Sequence, residues 1–222
     1  MLRDYQIDLY NKIKQEIKNG ARSVLAVSPC GSGKTTLGVE ILLSARQKRN
    51  SAAVVGHKDI IIDQWMEHLP DAKYNQYGKL SAWSIWTLYN YYKQIKPYDL
   101  ILSDEAHLNA ARTHEETLNY LKNNGSYIIG LTATPNRLDG QGLDCIYDVM
   151  VQGPTARDLI DSGYLVPPIE YIIDEPDLSG IDIDNNRQAV AEQMRRTHVT
   201  GDVVASYLKY AKGKRFALFP VT

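Results

Sequence analysis

The sequence predicts an α/β protein whose parallel sheet is covered by helices on both faces, and two observations carry that reading. Short apolar runs bounded by turn residues recur at 23–28, 52–56, 82–87, 100–103 and 127–131, each of strand length. Between them lie segments 36–48, 59–69 and 112–123, whose apolar residues return every three or four positions, as one face of a helix requires. Strands alternating with helices imply a parallel sheet with both faces packed. In such sheets ligands bind at the carboxyl ends of the strands, so the residues just after each run are the ones to read for chemistry.

The 222-residue chain is 44% hydrophobic and 23% charged, enough to bury a real core. Its 25 Lys and Arg nearly cancel its 26 Asp and Glu. A net charge of −1 gives no bulk attraction to nucleic acid, so any such binding must be local. Cys30 and Cys145 have neither metal-ligand spacing nor a disulfide framework, which fits a reducing compartment. The first residues lack a basic stretch followed by an apolar one, and no apolar run approaches bilayer length. The expectation is a cytoplasmic protein, neither exported nor membrane-embedded.

After Gly163, which suits the residue closing a helix over 156–162, the pattern changes. Pro167 and Pro168 lead into a strand pattern at 169–173, an acidic stretch at 174–184, a helical pattern over 188–211 and a last strand pattern at 215–219. Two strands and one helix make a poor independent core. Residues 1–165 therefore read as one complete domain and 166–222 as the incomplete start of a second α/β domain. There is no internal repeat and no low-complexity tract.

Directly after the first strand comes Ser28-Pro29-Cys30-Gly31-Ser32-Gly33-Lys34-Thr35-Thr36, opening a helix. Small residues let backbone N–H groups converge on phosphate oxygens, and the helix N-terminus adds its positive end. Lys34 suits the β- and γ-phosphates and the Thr35 hydroxyl suits Mg²⁺. The usual pattern has glycine where this chain has Ser28. A second strand, 100–103, delivers Asp104-Glu105-Ala106-His107 to the same sheet edge. Alone, an Asp-Glu pair is more often a solvated helix start. Beside a phosphate loop, Asp104 becomes the partner of Mg²⁺ and Glu105 the group that orients and deprotonates an attacking water.

The loop ending Gly33-Lys34-Thr35, the box Asp104-Glu105-Ala106-His107 and the run Thr132-Ala133-Thr134-Pro135 together resemble the superfamily-two helicases and translocases of DEAH-box type. Within them the chain is similar to the branch of DNA-repair helicases and restriction-enzyme motor subunits. The resemblance spans almost the whole chain and implies a RecA-like P-loop NTPase domain using ATP and Mg²⁺. It implies that Arg3-Asp4-Tyr5-Gln6 is the adenine-recognising entry motif, with the Gln6 amide suited to pairing with an adenine edge. Val55-Gly56-His57-Lys58 with Gln64, and Ser84-Ile85-Trp86-Thr87-Leu88, resemble motifs that touch the nucleic-acid backbone, which makes His57, Lys58 and Thr87 contact candidates. His57 also fits a satisfied strand-end histidine, and Trp86 is expected in the core rather than as a stacking platform. Thr132 and Thr134 are implied to couple nucleotide to nucleic acid through partners such as His107. Asn136 to Gly140 continue the likeness, with Arg137 expected to be structural.

The expected partner is nucleic acid, with DNA favoured over RNA by branch resemblance alone. Hydrolysis in the family draws on arginines of the second domain, and no such segment is present, so a missing C-terminal half or a partner chain is expected to supply them. The isolated polypeptide is accordingly expected to bind ATP with Mg²⁺, to hydrolyse it slowly and not to unwind by itself. Two other readings stay open on the residues: a regulatory module that holds nucleotide or DNA without turnover, and a small-molecule P-loop phosphotransferase. Basic residues Arg195, Arg196 and the 209–215 cluster read as a solvated helix face, and the 15 tyrosines carry no placement.

Overall fold

Among the described residues seven strands, all paired in parallel, form one sheet: β1 (Ser23–Val27), β2 (Ala52–Gly56), β3 (Lys73–Tyr74), β4 (Leu80–Ser84), β5 (Leu100–Ser103), β6 (Tyr127–Thr132) and β7 (Val149–Gln152). Their order across the sheet is β3-β4-β2-β5-β6-β1-β7. The computed structural model describes residues 2–48, 50–110, 112–135, 143–168, 188, 192 and 207–213. The helices are α1 (Asp4–Lys18), α2 (Lys34–Gln47), α3 (Asp59–His68), α4 (Ile85–Tyr91), α5 (Arg112–Asn123) and α6 (Ala156–Asp161), with a 3-10 turn over Ala106–Ala110.

Alternation along each strand feeds two separate cores. Val24 and Ala26 of β1, with Val54 of β2 and Leu102 of β5, pack beneath Leu9 and Ile13 of α1, Leu37 and Ile41 of α2, and Ile62 and Trp65 of α3. Leu25, Val27, Val55 and Ile101 point the other way, against Leu88 of α4, Leu118 and Leu121 of α5, and Tyr147. Strands buried on both faces must be apolar throughout, which is why their runs are continuous rather than alternating.

Some boundaries differ from the sequence expectation. The strand expected at 82–87 runs from Leu80 to Ser84 instead. It stops there because the Ser84 hydroxyl accepts the Thr87 N–H at 3.4 Å and caps α4, so Ile85 and Trp86 are helical despite their strand propensity. Trp86, expected in the core, is 54% exposed, because the first turn of α4 points it off the sheet. Helix α2 starts at Lys34, directly after the left-handed Gly33. β3, of two exposed residues, and β7, with one buried position of four, do not form the continuous apolar runs that mark the buried strands.

By contacts the chain divides into two compact units, Met1–Pro167 and Pro168–Thr222. In the second, Gln188, Glu192 and the residues 207–210 are helical, and Gly213 adopts φ 80°. The strand expectations at 169–173 and 215–219, the acidic stretch, Arg195 and Arg196 lie outside the described residues. No helix among the described residues is long and apolar enough to cross a membrane.

Gly130, in the middle of β6, sits under the Tyr147 ring, and a Cβ there would come 2.5 Å from the ring's Cζ. Tyr147 is 5% exposed and has nowhere to retreat. Gly130→Ala is expected to lower stability by about 1–3 kcal/mol, the usual cost of overpacking a filled core, read as a drop in the urea midpoint at unchanged slope.

Candidate nucleotide site

The sheet brings β1, β6 and β5 side by side, so the residues leaving their carboxyl ends share one edge. From β1 the chain enters the phosphate loop. The Ser28 N–H donates to the Thr132 carbonyl at 2.9 Å, and the Ser28 hydroxyl donates to the Ser32 hydroxyl at 2.8 Å. Both serines are buried, so the residue replacing the usual glycine closes the loop from inside rather than obstructing it. Gly31 and Gly33 hold φ of 76° and 77°, a left-handed conformation that side chains disfavour. Gly33 caps α2 without a side-chain bond, leaving the first-turn N–H groups without intrahelical acceptors. The half-buried Lys34 folds back so that Nζ lies 3.5 Å from the Pro29 carbonyl. Thr35 is half-buried beside it, while Cys30 and Thr36 are exposed.

Beneath this loop lies Gln6, 5% exposed. Its Oε1 accepts the Arg3 N–H at 2.9 Å, and its Nε2 donates to the carbonyls of Ser32 and Gly33 at 2.9 and 3.1 Å. The sequence suggested an amide edge open to adenine; here both its donors and its oxygen are engaged by backbone. The missing Cβ of Gly33 makes this possible, since one would lie 2.5 Å from Nε2. Tyr5 adds a hydroxyl donated to the Ser32 carbonyl at 2.9 Å. Its ring meets Tyr164 edge-on at 5.0 Å, and the Arg3 guanidinium sits 5.2 Å over Tyr164. Leu165 approaches the other side, with Cδ2 3.0 Å from where a Gly31 Cβ would stand. Sequence reasoning missed Tyr164 and Leu165, which follow a helix stop and carry no spacing signal.

At the end of β5, both Asp104 oxygens have a donor. Oδ1 accepts the Glu105 N–H at 2.9 Å and Oδ2 accepts the Trp65 indole N–H at 2.8 Å. Glu105 turns the chain off the strand at φ 48°, a conformation costing of order 1–3 kcal/mol in a non-glycine residue. Its Oε2 lies 3.3 Å from His107 Nδ1, which is also 3.2 Å from the Thr132 hydroxyl. That hydroxyl donates to the Thr134 carbonyl at 2.8 Å and accepts the Thr134 N–H at 3.1 Å. Its one hydrogen is used, so contact with His107 requires the proton on Nδ1. The acidic box and the Thr132 run therefore touch directly.

The proposed nucleic-acid residues lie along the neighbouring strand ends. Lys58, exposed, caps α3 after β2, and Thr87 stands in the first turn of α4 after β4, which pairs with β2. The Thr87 and Ser84 hydroxyls are 3.0 Å apart. Gln64 is exposed on α3. His57 instead stacks on His114 of α5, ring centroids 5.6 Å apart and planes 22° from parallel. His114 is 2% exposed, and burial, aided by the adjacent His57, pushes its pKa down to about 4. Neither Nδ1 has a hydrogen-bond partner among the described residues. Arg137 lies outside the described residues. Among those described, no group of three acidic, histidine or cysteine side chains could hold a metal. A magnesium ion bound mainly through phosphates and water needs only one or two protein oxygens, which Thr35 and Asp104 can provide.

Residues 1–87 and 87–137 match the family described as type III restriction enzyme, res subunit. The chain belongs to that family. It is 29% identical over 197 residues to a 51.5 kDa protein of a Lactococcus phage, covering 86% of this chain and 42% of the relative. It is 25% identical to the type I restriction enzyme EcoAI endonuclease subunit of Escherichia coli, covering 91% of this chain and 27% of that one. The chain thus spans less than half the length of these relatives. The helicase domain of Hef from Pyrococcus furiosus has the same fold, with a TM-score of 0.56, 19% identity, and coverage of 78% of this chain and 41% of that one. The sheet thereby has the RecA-like fold.

The His114 shift fixes the sign of a pH effect. Unfolded, this histidine takes a proton near pH 6.5; folded, it resists until about pH 4. Stability is therefore unaffected above pH 6.5 and falls on acidification by about 1.4 kcal/mol per pH unit, reaching about 3 kcal/mol at pH 4. His114→Leu, similar in volume and without a proton to bind, is expected to flatten this part of the profile, as read from urea midpoints between pH 7.5 and pH 5.

Proposed function

We propose that this chain is the nucleotide-binding part of an ATP-driven helicase or translocase that moves on DNA, working in the cytoplasm. The observation that best supports it is the connection between the phosphate loop, the acidic box and the Thr132 run, joined by the Ser28–Thr132 and His107–Thr132 contacts. A small-molecule phosphotransferase has no use for a built link from the acidic box to Thr132 and Thr134. The relatives named for restriction enzymes favour DNA over RNA.

In this reading the α2 N-terminus and the Lys34 ammonium hold the β- and γ-phosphates. Thr35 and Asp104 hold Mg²⁺, which when bound offsets charge on the phosphate oxygens. Glu105 orients a water and takes its proton. His107, hydrogen-bonded to Thr132, passes the state of that carboxylate to the strand end from which Thr134 leaves. Arg3, Tyr5 and Gln6 shape the base side of the site. Lys58 and Thr87 touch the nucleic-acid backbone, with His57 supporting them from its stack on His114. Residues 166–222 begin a second domain, and arginines that complete hydrolysis come from its C-terminal half or a partner chain.

The test is equilibrium binding of ATP with Mg²⁺, and turnover with and without single-stranded and duplex DNA, using the 222-residue chain. Lys34→Ala is expected to weaken binding by about 10–100-fold, the loss of one charge-assisted phosphate contact. Glu105→Gln is expected to keep binding and lose the slow turnover. Nucleotide binding indifferent to Lys34→Ala would overturn the assignment.

A further inference from the structure

We propose that Trp65 is a positioning residue for the magnesium site, holding the Asp104 carboxylate in its working orientation from the core of α3; this rests on the nucleotide reading above. An indole has a single N–H and no acceptor, so the 2.8 Å contact with Oδ2 can only be a donation to the carboxylate. The bond is charge-assisted and largely shielded, because Trp65 is 1% exposed. With the Glu105 N–H on Oδ1, the carboxylate plane is pinned at both oxygens before any cation arrives. Lone pairs remain on both oxygens for a metal, and their direction is set by these two donors.

Trp65 also fixes where the carboxylate stands relative to the phosphate loop. Its ring lies over Gly38, where a Cβ would be 2.5 Å from Cη2 and 3.2 Å from Cζ3. Gly38 is one helical turn beyond Lys34 and Thr35 on α2. One side chain therefore touches both the helix that opens the phosphate cradle and the acidic residue opposite it. Its own helix, α3, is capped by Lys58, and Ile62 of that helix packs on Gly56 at the end of β2, with Cδ1 2.8 Å from where a Cβ would stand. The indole is thus anchored to the same short element that carries a proposed nucleic-acid contact.

Trp65→Phe removes the N–H donor together with the outer part of the ring that lies over Gly38, so metal-free binding and stability are read alongside. The measurement is Mg²⁺ titration of the binding of a fluorescent ATP analogue to the full 222-residue chain, beside analogue binding in EDTA and the urea midpoint. The expected result is a Mg²⁺ midpoint raised by about 10–100-fold, as is typical when a partner of a metal-holding side chain is lost, with metal-free analogue binding unchanged. An unchanged Mg²⁺ midpoint in a folded Trp65→Phe protein overturns the proposal while leaving the nucleotide reading intact. Wild-type binding that ignores both Mg²⁺ and Lys34→Ala overturns both. Should the variant not fold, the indole N–H resonances of the wild type decide. The Trp65 signal, identified by its shift in Asp104→Ala, is expected to move on adding Mg²⁺ with the analogue, while that of Trp83, bonded to Tyr98 at 2.9 Å, stays. A Trp65 signal that does not respond overturns the proposal.

Discussion

The register of three adjacent parallel strands is the constraint on which the site depends. Val27 of β1 lies beside Thr132 of β6, and Ser103 of β5 beside Gly130. Because these strands run the same way, their carboxyl ends finish at one edge, and the residues that follow emerge within reach of each other. The bond from the Ser28 N–H to the Thr132 carbonyl extends the β1–β6 ladder one step past the strand, so the first residue of the phosphate loop is still part of the sheet. A slip of one residue would turn Thr132 from the site toward the opposite core and break this alignment. Burial on both faces makes such a slip costly, since each of the large residues of the two cores is worth about 1.5–3 kcal/mol when fully buried.

That security supports local strain. Gly31 and Gly33 take left-handed conformations cheaply, but Glu105 takes one at a cost. The result is direction: the chain bends at Glu105, which lies beside His107 while Asp104 lies beside Trp65. Two consecutive carboxylates thus acquire different neighbours and are available for different tasks.

Much of this was legible in the sequence, and the exceptions have physical causes. Continuous apolar runs marked the central strands because a parallel sheet buried on both faces demands them, and loop and acidic box were readable because phosphate and metal chemistry restrict residue type and spacing. The β4 boundary was obscured by Ile85 and Trp86, strand-favouring residues recruited into a helix by the Ser84 cap. Gln6 was identified as a site residue, yet its bonds to the Ser32 and Gly33 carbonyls depend on how α1 docks, which local sequence does not specify. Trp65 read as one more apolar position of α3; only its placement opposite Asp104 distinguishes it. Tyr164 likewise gains meaning from Arg3 and Tyr5, far away in sequence.

The position of β1 in the sheet has a consequence for how the protein comes into being. Both of its neighbours arrive late in the chain: Ser23 pairs with Ile128 and Val24 with Val149. Loop closure of that length must be completed before the pairing contributes, which slows formation of this part of the sheet. During synthesis its apolar residues have no strand beside them until the ribosome has delivered β6 and β7. The segment that forms the phosphate cradle is thus among the earliest made, yet its strand pairing is complete only once β6 and β7 have been delivered.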